Sequence, residues 1–136
     1  MPERDAHEQK PLTTREPIRL VYTGKLPQMN KQHPSFWGRW NQKKTALRQF
    51  GVLPGSARAT RKASVTIVRV LGPRQRPMDE LENLGACLKG LADALVQGGY
   101  LVNDSPAWVS WNLSQDGSRR SRGPRVEITI RYIEEG

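Results

Sequence analysis

Residues 78–105 read MDELENLGACLKGLADALVQGGYLVNDS and hold five acids and one lysine: Asp79, Glu80, Glu82, Asp93, Asp104 and Lys89. Of the chain's 13 Asp and Glu, four fall in the first sixteen residues and three in the last ten; of the six between, only Asp116 lies outside this stretch. If Asp104 folds back beside Glu80 and Glu82, three carboxylates meet inside a basic protein. Like charges held together are costly unless a cation sits among them. Mg²⁺ or Mn²⁺ suits carboxylate oxygen and water. Such an ion can activate a water and stabilise the leaving oxygen of a phosphodiester. Lys89 could then hold the scissile phosphate or its developing charge.

Plainer readings exist for some of these residues. Asp79-x-x-Glu82 has the form of a capping box, with Asp79 as N-cap. Lys89 and Asp93 are spaced for i,i+4 support on a solvated helix face. Neither reading accounts for Glu80 or Asp104.

The elements that must position these groups follow from hydrophobic period. Leu81, Leu84, Leu88, Leu91 and Leu95 are spaced three, four, three and four apart, the pattern of an amphipathic helix. With Glu82 at zero on a wheel of roughly 100° per residue, Lys89 and Asp93 fall within roughly 20° of it and the leucines lie opposite. Gly98-Gly99 is the expected stop. Residues 100–102 (YLV) read as a short extended piece leading to Asn103-Asp104. IRLVYTG (18–24), SVTIVRVL (64–71), WVSWNL (108–113) and VEITIRYI (126–133) read as strands, the last alternating strictly. Residues 26–44 show turn residues without a period and read as a long loop. KKTALRQFG (43–51) reads as a short helix. Residues 1–16 read as a disordered tail and 17–136 as one domain. The expected class is α+β: one main amphipathic helix and a shorter one, packed on a mostly antiparallel sheet.

Composition narrows the partners. The chain has 136 residues, with 22 Lys and Arg against 13 acids and a pI near 10.3. That balance points to a polyanion, nucleic acid first. Mean hydropathy is −0.68, and no apolar stretch approaches the roughly 18 residues of a membrane span. The charged N-terminus has no apolar signal region. A single cysteine, Cys87, excludes an intrachain disulfide framework and a multi-cysteine zinc site. The cytoplasm is the expected compartment.

The order Glu80-Leu-Glu82-Asn83-Leu84, Lys89-x-x-x-Asp93-Ala-Leu95, Gly99 and Asn103-Asp104 resembles the RusA type of Holliday junction resolvase. That family's pattern is D-x-D-N-L, a lysine, D-x-L, a glycine and a D-D pair. Its Pro-then-Asn element resembles Leu26-Pro27-Gln28-Met29-Asn30, and the closing strand matches in kind. The resemblance covers about residues 18 to 133 and is specific in 78–105. It implies a Mg²⁺- or Mn²⁺-dependent endonuclease that acts as a homodimer on four-way DNA junctions, in bacteria and their prophages. It implies Glu80, Glu82 and Asp104 as metal ligands, Lys89 as the catalytic lysine, and Asn83 and Asp93 as supports around them; Asp79 is a further candidate support, or could replace Glu80 as ligand. Two departures stand out. Glu80 and Glu82 replace aspartates, shifting their oxygens by about one methylene, and small misplacements are expensive in catalysis. Asn103 replaces the first acid of the D-D pair.

Other residues suit a DNA backbone. Asn30, Lys31, Arg39, Arg74, Arg76, Arg119, Arg120 and Arg122 are candidate DNA contacts, although the run 119–125 could equally be a solvated loop. Trp37 and Trp40 could stack on bases or simply pack. A structure-selective DNA-binding protein without efficient cleavage is the alternative function. A basic domain for RNA or ribosomes, with the acids as surface charge, is a third.

Overall fold

The computed structural model describes residues 16–23, 36–77 and 85–133, without the side chains of Phe36, Trp37 and Ser56. Leu81, Leu84 and the tail 1–15 lie outside the described residues. Four strands form one sheet: β1 (Ile18–Tyr22), β2 (Ala63–Val70), β3 (Val109–Asp116) and β4 (Arg125–Tyr132). Their order across the sheet is β1-β4-β2-β3, antiparallel at β1/β4 and β4/β2 and parallel at β2/β3. The parallel pair requires a long crossover, and 71–108 supplies it. This is the α+β class expected, in a single small domain.

Period-2 alternation sends one side chain in two to the core. One rung of that face is Ile18, Ile130, Val65 and Trp111; the next is Leu20, Ile128, Ile67 and Leu113. Three helical pieces cover it: α1 (Phe36–Phe50), α2 (Gly85–Cys87) and α3 (Lys89–Gln97). Leu88, Leu91 and Leu95 are buried against the sheet, as their spacing predicts. Trp108 and Trp111 both pack on this core.

Two elements differ from the sequence expectation. The helix expected from residue 43 begins at Phe36 and runs fifteen residues, so the tryptophan segment is helical, not loop. Good helix formers from Gln42 onward extend back through it, and its buried Gln42 and Ala46 lie one turn apart. The leucine helix is broken at Leu88 and is the shorter one among the described residues. The piece 100–102 joins no strand. Its Tyr100 instead ties elements together: Tyr132 Oη donates to the Tyr100 carbonyl at 2.6 Å, and Tyr100 Oη to the Phe50 carbonyl at 2.6 Å. Gly99, at φ +91°, ends α3 in the left-handed region, where glycine is unstrained. No described helix is long and apolar enough to cross a membrane.

Helices α1 and α3 cross at Gly90. A Cβ there would stand 2.5 Å from Gln42 Oε1 and 2.6 Å from the Arg39 carbonyl oxygen. The Arg39 backbone cannot move away without moving α1. Gly90→Ala is therefore expected to destabilise the fold by about 1–3 kcal/mol, the usual cost of overpacking. Urea unfolding of the two proteins checks it; an equal midpoint would mean the helices part easily.

Candidate functional site

The break at Leu88 sets the position of Lys89. Leu88 leaves the helical region at φ −105°, ψ 6°, and the helical register restarts at Lys89. Gln42, buried on α1, spans the break: its Nε2 donates to the Cys87 carbonyl at 2.7 Å, and its Oε1 accepts from the Leu91 N–H at 3.0 Å. One amide thereby satisfies a buried acceptor and a buried donor that a continuous helix would have paired. Lys89 is the exposed first residue of α3.

Asp93 follows one turn later and lines an open cleft of about 450 Å³ with Lys43, Val96, Gln97, Asn103 and Asp104. The cleft lies where α1, α3 and the segment after α3 meet. Asn103 shapes its rim: Asn103 Oδ1 accepts from the Ser105 N–H at 2.9 Å, a local turn that brackets the exposed Asp104. Asp93 is engaged. Arg39 Nε and Nη2 reach its two oxygens at 2.6 and 2.9 Å, a bidentate pair. The pKa of Arg39 is raised by this hydrogen bond first, against some desolvation, with added attraction from the charges of Asp93 and Asp104. So Asp93 leans on Arg39 of α1 rather than on Lys89, and Arg39, a candidate DNA contact, is exposed and bonded to this cleft residue.

Of the predicted metal ligands, Asp104 is in this cleft; Glu80 and Glu82 lie outside the described residues, as do Asp79, Asn83, Asn30 and Lys31. Among the described residues no group of three or more metal-binding side chains is gathered. The cleft's own carboxylate and amide oxygens, Asp104 and Asn103, are the hard donors that Mg²⁺ or Mn²⁺ takes. They make a partial set.

The other candidate DNA contacts divide. Arg74 and Arg76 are exposed on the loop 72–77, and Arg122 is exposed on the loop 117–124. Arg120 instead clamps one loop to the other, its Nη1 donating to the carbonyls of Gly72 and Gln75 at 2.8 and 2.6 Å. Arg119 is shared between Asp116 at 2.9 Å and Glu127 at 2.8 Å, and Arg125 also reaches Glu127 at 2.7 Å. That stretch of the basic run is a folded charge network. Trp40 is at the surface with the Lys44 ammonium 4.4 Å above its ring. Cys87 is buried, which pushes its thiol pKa up, as expected of a packed cysteine.

Three residues that shape this region, Gln42, Gly90 and Arg69, were not singled out from the sequence. Gln42 looks like any polar helix residue. Gly90 carried a signal, since glycine inside a helical pattern often marks a close approach. Arg69 lies on the core side of β2, 7% exposed, and donates to Gln115 Oε1 at 2.8 Å and the Arg76 carbonyl at 3.2 Å. Burial lowers its pKa. With Arg120 it holds the loop 72–77, which leads into the acidic stretch.

Comparison with family models and with curated proteins finds no match to this chain. The functional reading therefore rests on the residues and their geometry.

Two outcomes follow from these contacts. Gln42→Leu removes a buried bond to the Cys87 carbonyl and one of two to the Leu91 N–H, so a loss of about 1–3 kcal/mol is expected in urea unfolding. Asp116 is held below its ordinary value of 3.8, at about 2, chiefly by hydrogen bonds from Ser118 and then by Arg119. A depressed carboxylate adds stability above its unfolded value, and that stability is lost as pH falls through the folded one. Asp116→Asn should therefore be less stable than the parent at neutral pH, with the gap closing between pH 3.8 and about 2. Thermal melts across that range measure it; a constant gap would exclude the ionised contact as its source.

Proposed function

We propose that this protein is a Mg²⁺- or Mn²⁺-dependent endonuclease that cuts four-way DNA junctions as a homodimer. Asp104 with Glu80 and Glu82 would hold the ion, and Lys89 would steady the scissile phosphate. The observation that carries the reading is the placement of Asp104 in one cleft with Asp93, a single helical turn from Lys89, in a chain of net charge +9. Asp93 comes from the middle of α3 and Asp104 from the segment after it, and both line that cleft. When bound, the ion would supply an activated water and a counter-charge for the leaving oxygen. The chain's own part is orientation. Gln42 fixes the break from which Lys89 projects, Arg39 fixes Asp93, and the Asn103 turn presents Asp104. Exposed Arg74, Arg76 and Arg122 would meet the DNA backbone. A bacterial or phage-infected cytoplasm suits such a substrate.

One observation favours the alternative of a junction-binding protein without efficient cleavage. Lys43 lines the cleft that holds Asp104 and Arg39 is bonded to its Asp93, and positive charge there opposes a divalent cation.

A labelled four-way junction and a matched linear duplex, each with Mg²⁺, Mn²⁺ or EDTA, test the two readings. Paired, metal-dependent nicks on the junction alone are expected. Asp104→Asn and Lys89→Ala should each slow cutting by roughly 10²–10³-fold, as loss of a charge-stabilising group does, with junction affinity unchanged. Tight binding without cutting in either metal supports the alternative. Cutting that persists in EDTA rules out the metal reading.

A further inference from the structure

The sheet has a second face, which none of the described helices covers. Its side chains are those of opposite parity. One rung crosses all four strands as Arg19, Thr129, Thr66 and Asn112; beside it Ser64 pairs with Arg131 on one side and Ser110 on the other. The two ends of this face differ in charge. At the Val70 end, Asp116 and Glu127 are matched by Arg119 and Arg125. At the other end stand Arg19, Lys62 and Arg131, all exposed. No described acid ion-pairs with any of the three.

The register puts these cations close together. Arg19 faces Thr129, two residues from Arg131 on β4, and Lys62 lies two residues before Ser64, the partner of Arg131. Both are therefore diagonal neighbours of Arg131, at roughly 7–8 Å between backbone positions. Like charges at that spacing repel and gain no ion pair in return among the described residues. The same spacing resembles that of neighbouring phosphates along one DNA strand. The hydroxyls and amide between them donate hydrogen bonds, which phosphodiester oxygens accept.

We propose that this face, at its Arg19–Lys62–Arg131 end, is a second contact surface for the phosphate backbone of duplex DNA, separate from the cleft that holds Asp104. It rests on the reading that DNA is the partner, and adds to it a surface that grips without cutting. A protein acting at a branch point must hold more than one duplex arm, and a second basic face would take one of them.

Affinity for an uncut linear duplex in EDTA, followed by fluorescence anisotropy from about 50 to 200 mM salt, tests this without any cleavage. Arg19→Ala with Arg131→Ala is expected to weaken binding roughly tenfold at the low-salt end and to lower the slope of log affinity against log salt by about 1.8, for two lost phosphate contacts. Arg19→Lys with Arg131→Lys should retain most of both. The alanine protein should melt no lower than the parent, since its loss relieves repulsion. An unchanged affinity and slope overturns the surface and leaves the nuclease reading standing. Duplex binding that shows the expected loss, in a protein that cuts no junction, keeps the surface and removes the nuclease. A parent that binds no duplex removes the surface. Loss of adhesion to phosphatidylserine vesicles with DNA binding intact would reassign the face to a membrane and overturn it as well.

Discussion

The side-chain amide of Gln42 holds the helical layer in its observed form. It is 2% exposed and bonds both sides of the break at Leu88. A glycine at position 90 lets α1 come near enough for those bonds to form. Without the amide, the buried Cys87 carbonyl would lose this donor and the Leu91 N–H would keep its bond to the Leu88 carbonyl alone, and a lost buried bond costs more than a typical net hydrogen bond returns. Without the break, the residues after Leu88 would continue the phase of those before it. Lys89, Asp93 and the cleft thus depend on a contact made by a residue that touches none of the proposed chemistry.

Much of the framework was readable from side-chain period. Four strands showed themselves because each alternates or is β-branched and is bounded by Gly, Pro or polar turns. Leu88, Leu91 and Leu95 announced their buried face, and Gly98-Gly99 announced its end. The failures have physical causes. Residues 36–44 carry Trp, Gly and Asn without a clear apolar stripe, because that end of α1 is held by polar contacts, Arg39 to Asp93 and Gln42 to the break. A leucine period of three and four runs straight through Leu88, so no pattern could show the interruption. Tyr100 looked like a strand residue because an aromatic beside Leu and Val suits a sheet, but its hydroxyl and carbonyl are used for cross-links between elements.

The candidate site divides along the same line. Residue types and order pointed to Asp104 and Lys89, and the fold sets Asp104 and Asp93 on one cleft. Which charges neutralise which could not be read. Asp93 was matched by spacing to Lys89, yet it pairs with Arg39, 54 positions away. The basic run 119–125 looked like one patch, yet Arg119 and Arg125 serve Asp116 and Glu127 while Arg120 serves backbone carbonyls. Ion pairs across a sheet depend on register, and register is a property of the whole sheet.

The position of β4 has a consequence for synthesis. It is the last of the four strands in sequence and sits between β1 and β2. While the chain is being made, β1 and β2 have no antiparallel partner until residues 125–132 leave the ribosome. The edge of β1 and one edge of β2 must wait through that interval, a period in which unpaired edges are open to misassociation. Joining β1 to the sheet is therefore deferred to β4, and a nascent chain stalled before Arg125 would have β2 paired only with β3 and β1 with no neighbour.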